Sequence, residues 1–256
     1  MKGKTIITVV LDETGSMAPR NMQTISGFNE FINTQKDKAL GDCVVSLLTF
    51  NSETGVVTRY HEKPVDDVPE MTIHDYRATG NTPLYDALAE AIIDTESQYK
   101  KANDVLATLV GKKATAAATP MVVVLIVTDG EENSSTQHTR TEIFNMIAER
   151  KKLGWSFVFM GADMDAWQQA QQFGYSAQNV QSFAGADTMA AWSNTARNLV
   201  SNRAVYQSSV VRDDLQGLQA SLTKSANDFY GGQDGVPKRK YWEAKGPLAK
   251  KGKKND

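Results

Sequence analysis

Two runs in this chain are apolar at almost every position: Ile6-Ile7-Thr8-Val9-Val10-Leu11 and Met121-Val122-Val123-Val124-Leu125-Ile126-Val127. A strand with one face in water alternates, whereas a strand covered on both faces does not. Unbroken runs of this length therefore predict buried parallel strands, over about Thr5–Leu11 and Met121–Val127. Between and after them the periodicity changes repeatedly. Ile25, Phe28, Phe31 and Ile32 recur at spacings of three and four, which predicts a helix behind the first strand. Asp42–Phe50 and Gly55–His61 read as two further strands. The link Asn51–Thr54 is too short for a parallel crossover, so the strand at Gly55–His61 is expected as an antiparallel edge.

Lys63–Arg77 is polar and carries Pro64 and Pro69, which predicts a loop. Pro83 suits the first turn of a helix whose apolar stripe is Leu84, Ala87, Leu88, Ala91 and Ile92. Val105 to Val110 adds a further helical turn or two, and Lys112–Pro120 reads as a surface loop. A helix near Thr139–Leu153 stops before Gly154, and Trp155–Met160 is a strand. Asp163–Phe173 reads as a helix closed by Gly174, Asn179–Phe183 as a short strand, and Asp187–Val205 as a helix. Val211–Phe229 holds an amphipathic helix marked by Leu215, Leu218 and Leu222, and a glycine-rich break and a lysine-rich tail follow.

This alternation predicts an α/β fold: a Rossmann-like, doubly wound, mostly parallel sheet with helices on both faces. Right-handed crossovers make 3-2-1-4-5-6 the expected strand order, with strand 3 as the antiparallel edge. The winding then reverses between strands 1 and 4, which brings Asp12 and Asp129 side by side. The expected organisation is one domain over residues 1–206 and a C-terminal extension over 207–256.

Composition changes this picture little. The chain has 256 residues, of which 41% are hydrophobic and 23% charged, as in ordinary globular proteins. Its net charge of -2 is unevenly spread. Eight Lys/Arg against two acids after residue 235 give the tail +6, so the rest carries -8. A single cysteine, Cys43, excludes an internal disulfide framework and reads as a buried, inert thiol. No stretch approaches the length of a membrane span, and the short apolar run after Lys2 and Lys4 lacks a cleavage site. A cytoplasmic location is expected.

The candidate chemistry lies just past the two apolar runs and in one loop. Asp12-Glu13-Thr14-Gly15-Ser16, Thr79-Gly80-Asn81-Thr82-Pro83 and Thr128-Asp129-Gly130 all carry short oxygen-bearing side chains. Two carboxylates and three hydroxyls converging at a sheet's reversal point would offer hard oxygen ligands of the kind that suit Mg²⁺.

Asp12-x-Thr14-x-Ser16, followed by Thr82 and then Asp129, resembles the metal-ion-dependent adhesion site of von Willebrand factor A domains, over about residues 4–206. The resemblance implies that Thr14 and Ser16 bind the ion directly, and that Asp12 and Asp129 do so directly or through water. Thr82 binds in either way, and a partner's Asp or Glu completes the coordination. It implies Mg²⁺, with Mn²⁺ or Ca²⁺ as alternatives, and a protein-binding adaptor rather than an enzyme. The opening Leu-Asp-Glu-Thr-Gly-Ser-Met is similar to bacterial or phage intracellular members. Within this pattern Glu13 is expected to add negative charge near the rim, and Glu131 and Glu132 to make the crevice acidic. The helix following the first motif is expected to add positive potential there.

The same five residues resemble the phosphorylation motif of haloacid-dehalogenase phosphotransferases, in which Asp12 would be the nucleophile. Lys112-Lys113 is poorly placed to neutralise a phosphoryl group, and one acid rather than a pair follows the apolar run before residue 128. A third alternative is nucleic-acid association through Lys238, Arg239, Lys240 and Trp242 in the tail, where basic and aromatic side chains interleave. His61, His74 and His138 show no ligand spacing, and Ser16 has no evident histidine base. Trp155, Trp167 and Trp192 read as packing residues.

Overall fold

The computed structural model describes residues 3–110, 119–162, 174, 177–183 and 187–231. Six strands form one sheet: β1 (Lys4–Asp12), β2 (Asp42–Asn51), β3 (Gly55–Pro64), β4 (Met121–Thr128), β5 (Ser156–Ala162) and β6 (Val180–Phe183). Their order is β3-β2-β1-β4-β5-β6. Every neighbouring pair is parallel except β2 with β3. The helices are α1 (Asn21–Thr34), α2 (Leu84–Val110), α3 (Arg140–Lys152), α4 (Thr188–Val211) and α5 (Leu215–Asn227).

β1 and β4 are buried along almost their whole length because both faces are covered. On one face Ile7, Val9 and Leu11 pack with Phe28 and Phe31 of α1 and Trp192 and Leu199 of α4. On the other, Ile6 and Val10 pack with Leu84, Leu88 and Ile92 of α2, Ile143 and Ile147 of α3, and Trp155. Trp155 and Trp192 are thus core residues, whereas the expected helix at 163–173, with Trp167, lies outside the described residues. Burial pushes the Cys43 thiol up to about 11, so it stays protonated and inert.

Two features of the register go beyond the sequence pattern. The β2–β3 pairing slips near Leu47, and Glu62 adopts a φ of 45°. The resulting bulge lets the Glu62 carboxylate meet Lys4 Nζ at 2.8 Å and Lys101 Nζ at 3.0 Å. The pairs tie the edge strand β3 to β1, through Lys4, and to α2, through Lys101. The second feature is Arg203 on α4, which is fully buried. Its Nη1 donates to Gln35 O at 2.8 Å and to Gln35 Oε1 at 3.2 Å. Gln35 caps the C-terminus of α1, whose unpaired carbonyls present the negative end of a helix dipole.

From residue 207 to residue 231 the chain is built into the same core. α4 runs on to Val211, and Leu218 and Leu222 of α5 are buried. Asn179 ties the end of α5 to the sheet by donating to Phe157 O and Ala226 O and accepting from Phe229 N. The lysine-rich tail lies outside the described residues. No helix among the described residues is long and apolar enough to cross a membrane.

Candidate metal centre

β1 and β4 are adjacent with Leu11 opposite Val127, so Asp12 and Thr128 end their strands together. Thr128 Oγ1 donates to Asp12 Oδ2 at 2.5 Å, and the Thr14 amide donates to Asp12 Oδ1 at 2.7 Å. The backbone carbonyl of Asp12 accepts from the buried Tyr76 hydroxyl at 2.5 Å. Asp12 is fully buried. Burial raises its carboxyl to about 6 against the opposing pull of the Thr128 and Thr14 hydrogen bonds.

The loop after Asp12 is held from two sides. The Glu13 amide donates to Phe50 O, while the Gly15 amide reaches Gly80 O and the Thr79 amide reaches Glu13 O. This stitching places the first motif against the second. Ser16 then lies in a 3₁₀ turn, Gly15–Arg20, rather than at the start of an α-helix. Pro19 explains the difference: its ring would clash with the carbonyl four residues earlier, and it has no N–H to donate. The expected helix N-terminus is therefore displaced to Asn21, the first residue of α1.

Ser16 Oγ donates to Asp129 Oδ1 at 2.6 Å and lies 3.1 Å from Thr14 Oγ1. Thr82 precedes α2 and is fixed by Asn133: the Thr82 amide donates to Asn133 Oδ1 at 2.8 Å, and the Asn133 amide donates to Thr82 O at 3.1 Å. Gly130 separates Thr82 from Ser16. A Cβ there would lie 2.8 Å from Thr82 Oγ1 and 3.6 Å from Ser16 Oγ, so both hydroxyls approach the backbone at Gly130 and a side chain there would crowd Thr82. The structure thus brings Asp12, Thr14, Ser16, Thr82 and Asp129 to one crevice, with Gly15 and Ser16 exposed at its mouth.

Two expectations are corrected. Glu13 is not at the rim: it is 1% exposed, and both its carboxylate oxygens accept from Arg59 Nη2, at 2.9 and 3.0 Å. Successive residues at a strand end face opposite ways, so Glu13 turns from the crevice that Asp12 faces. Glu132 also points elsewhere. Its carboxylate accepts from the Tyr85 amide in the first turn of α2, where amides find no acceptor within the helix, and from the amides of Ser134 and Ser135 in its own loop. Glu131 is exposed.

Three residues at the site were not singled out by sequence: Arg20, Asn133 and Tyr76. Arg20 Nη1 donates to Asp129 Oδ2 at 2.5 Å, forming an ion pair in which the Asp129 side chain is 2% exposed. Each contacts a residue far away in sequence, so spacing alone carried no signal for it. Among the described residues no three His, Cys, Asp or Glu side chains cluster as metal ligands. The donor set is two carboxylates with three hydroxyls. Its hard oxygens, with no side chain at Gly130 to crowd Thr82 and Ser16, fit a small divalent cation.

No protein-family model matches the chain, and no curated protein matches it by sequence. Solved structures match it by shape. A von Willebrand factor type A protein from Catenulispora acidiphila aligns with a TM-score of 0.51 at 14% identity, covering 79% of this chain and 43% of its own. The pilus adhesin SpaC from Lactobacillus rhamnosus GG, in its open conformation, gives 0.58 at 14% identity, covering 78% of this chain and 30% of its own. This chain thus spans less than half the length of either. It covers 96% of the vWF domain of the type V pili tip protein Mfa5 from Porphyromonas gingivalis, with 78% of this chain aligned, a TM-score of 0.53 and 9% identity. Taken with the strand order, these matches show that the chain has the von Willebrand factor A fold.

Proposed function

We propose that this chain is a cation-dependent protein-binding module, in which Mg²⁺ is held by Thr14, Ser16, Thr82, Asp12 and Asp129. The observation that carries the reading is the chain of short contacts Thr14–Ser16–Asp129, beside Asp12 and facing Thr82 across Gly130. When bound, the ion supplies a Lewis-acidic anchor for a carboxylate from a protein partner. The protein's own residues orient the ligands. Thr128 and the Thr14 amide fix both oxygens of Asp12, and Asn133 fixes the backbone of Thr82. Three hydroxyls leave more of the ion's charge unquenched than three carboxylates would, which favours an acidic partner group.

The phosphotransferase reading has less support. Asp12 is fully buried and both its oxygens already accept hydrogen bonds, which is poor preparation for nucleophilic attack. Lys112 and Lys113, and the basic tail with Lys238, Arg239, Lys240 and Trp242, lie outside the described residues. On the burial and pairing of Asp12 we favour a binding module over an enzyme, and the single cysteine, Cys43, favours a reducing, cytoplasmic location.

Calorimetric titration with Mg²⁺ tests this. The wild type should bind one ion, and Ser16→Ala should bind it about ten-fold or more weakly while melting within a few degrees of wild type. Equal affinity in the two proteins would remove Ser16 from the ligand set. No heat of binding in the wild type at millimolar Mg²⁺ would end the reading.

A further inference from the structure

Asp129 is claimed twice. Its Oδ1 accepts from Ser16, and its Oδ2 accepts from the Arg20 guanidinium at 2.5 Å. The pair is largely withdrawn from water, with side chains 19% exposed for Arg20 and 2% for Asp129. Arg20 Nε is also buried and has no partner among the described residues, so its charge is poorly solvated apart from this contact. A guanidinium cannot lose its proton at any ordinary pH, and it therefore acts as a fixed positive charge beside the site.

We propose that Arg20 is a built-in competitor for the metal: an internal cation on Asp129 that sets how much divalent ion the site needs before it loads. This regulation of the site rests on the metal-binding reading above. Asp12 and Asp129 together would neutralise a divalent ion. Arg20 adds a positive charge that opposes entry of the ion and leaves the loaded site cationic. Such a site loads only at higher ion concentration and then prefers an anionic group of the partner. Arg20 thus tunes the site through Asp129, as a positioning and charge-setting residue. A purely structural role, in which Arg20 merely holds Asp129 in place, makes the opposite prediction for metal affinity.

The test is titration of the full chain with Mn²⁺ alone, following free Mn²⁺ by electron paramagnetic resonance, for wild type, Arg20→Gln and Arg20→Lys. Circular dichroism first establishes that each is folded. Removing the charge should tighten Mn²⁺ about ten-fold or more, while Arg20→Lys, which keeps the charge, should stay within about three-fold of wild type. Binding in Arg20→Gln that is unchanged or weaker overturns the proposal but leaves the metal site standing. If Arg20→Gln fails to fold, Arg20→Met, which keeps the length of the side chain without its charge, takes its place with the same two outcomes: tighter Mn²⁺ binding supports the proposal, and unchanged or weaker binding overturns it. No Mn²⁺ binding in any variant sinks the metal reading itself, and this inference with it.

Discussion

At the scale of single residues, Asp12 gives the most direct handle on the site. Burial lifts its carboxyl from 3.8 to about 6 in the folded chain. Between those values the folded chain holds a proton that the unfolded chain has released. The unfolding free energy must therefore fall as pH rises from about 4 to about 6, and stay lower above that window. Thermal melts in chelator should show this loss in the wild type. Asp12→Asn cannot titrate, so it should lack the loss and be the more stable protein at pH 7 and above. Wild type and variant losing stability in parallel across the window would contradict the assignment. With Mg²⁺ present the wild-type trend should reverse, because the ion binds the ionised carboxylate. The motif spacing made Asp12, Thr14, Ser16, Thr82 and Asp129 legible in the sequence as a set. Arg20 and Asn133 were not legible, because their partners Asp129 and Thr82 lie 109 and 51 residues away. Glu13 was misread because spacing does not say which way a side chain turns.

At the scale of elements, the close crossing of α1 and α4 depends on one glycine. A Cβ at Gly27 would fall 2.2 Å from Trp192 Cδ1, so the helices meet there with no room for a methyl group. Trp192 in turn meets Phe28 and Phe31 edge-on, with ring centroids 6.2 and 5.7 Å apart. Gly27→Ala gains about 1 kcal/mol of helix propensity but overpacks this contact. Urea denaturation should show a net loss of about 1–3 kcal/mol. A variant as stable as wild type would mean that α4 shifts freely on α1. The apolar stripe at Ile25, Phe28, Phe31 and Ile32 identified α1 from sequence, but spacing carries no signal that Gly27 sits where another helix presses on α1. Arg203 was opaque for a related reason. A lone arginine on a helix reads as solvated, and only the fold shows α1's C-terminal carbonyls beside it.

At the scale of the whole molecule, the strand order could be reasoned out because two constraints suffice. Unbroken apolar runs mark the central strands, and right-handed crossovers leave few ways to arrange them. The same geometry puts the ends of β1 and β4 together and makes a crevice there, whatever residues line it. What the pattern did not convey is how α5 joins the core, since Leu218 and Leu222 are buried against elements distant in sequence. The account's central claim is that this crevice holds a divalent cation. A crystal grown with Mn²⁺ tests it most directly, through anomalous scattering at the manganese edge. The account predicts one strong peak within bonding distance of the Ser16 hydroxyl, bordered by Thr14, Thr82, Asp12 and Asp129. No peak there at millimolar Mn²⁺, or one bound only by surface carboxylates elsewhere, would contradict it.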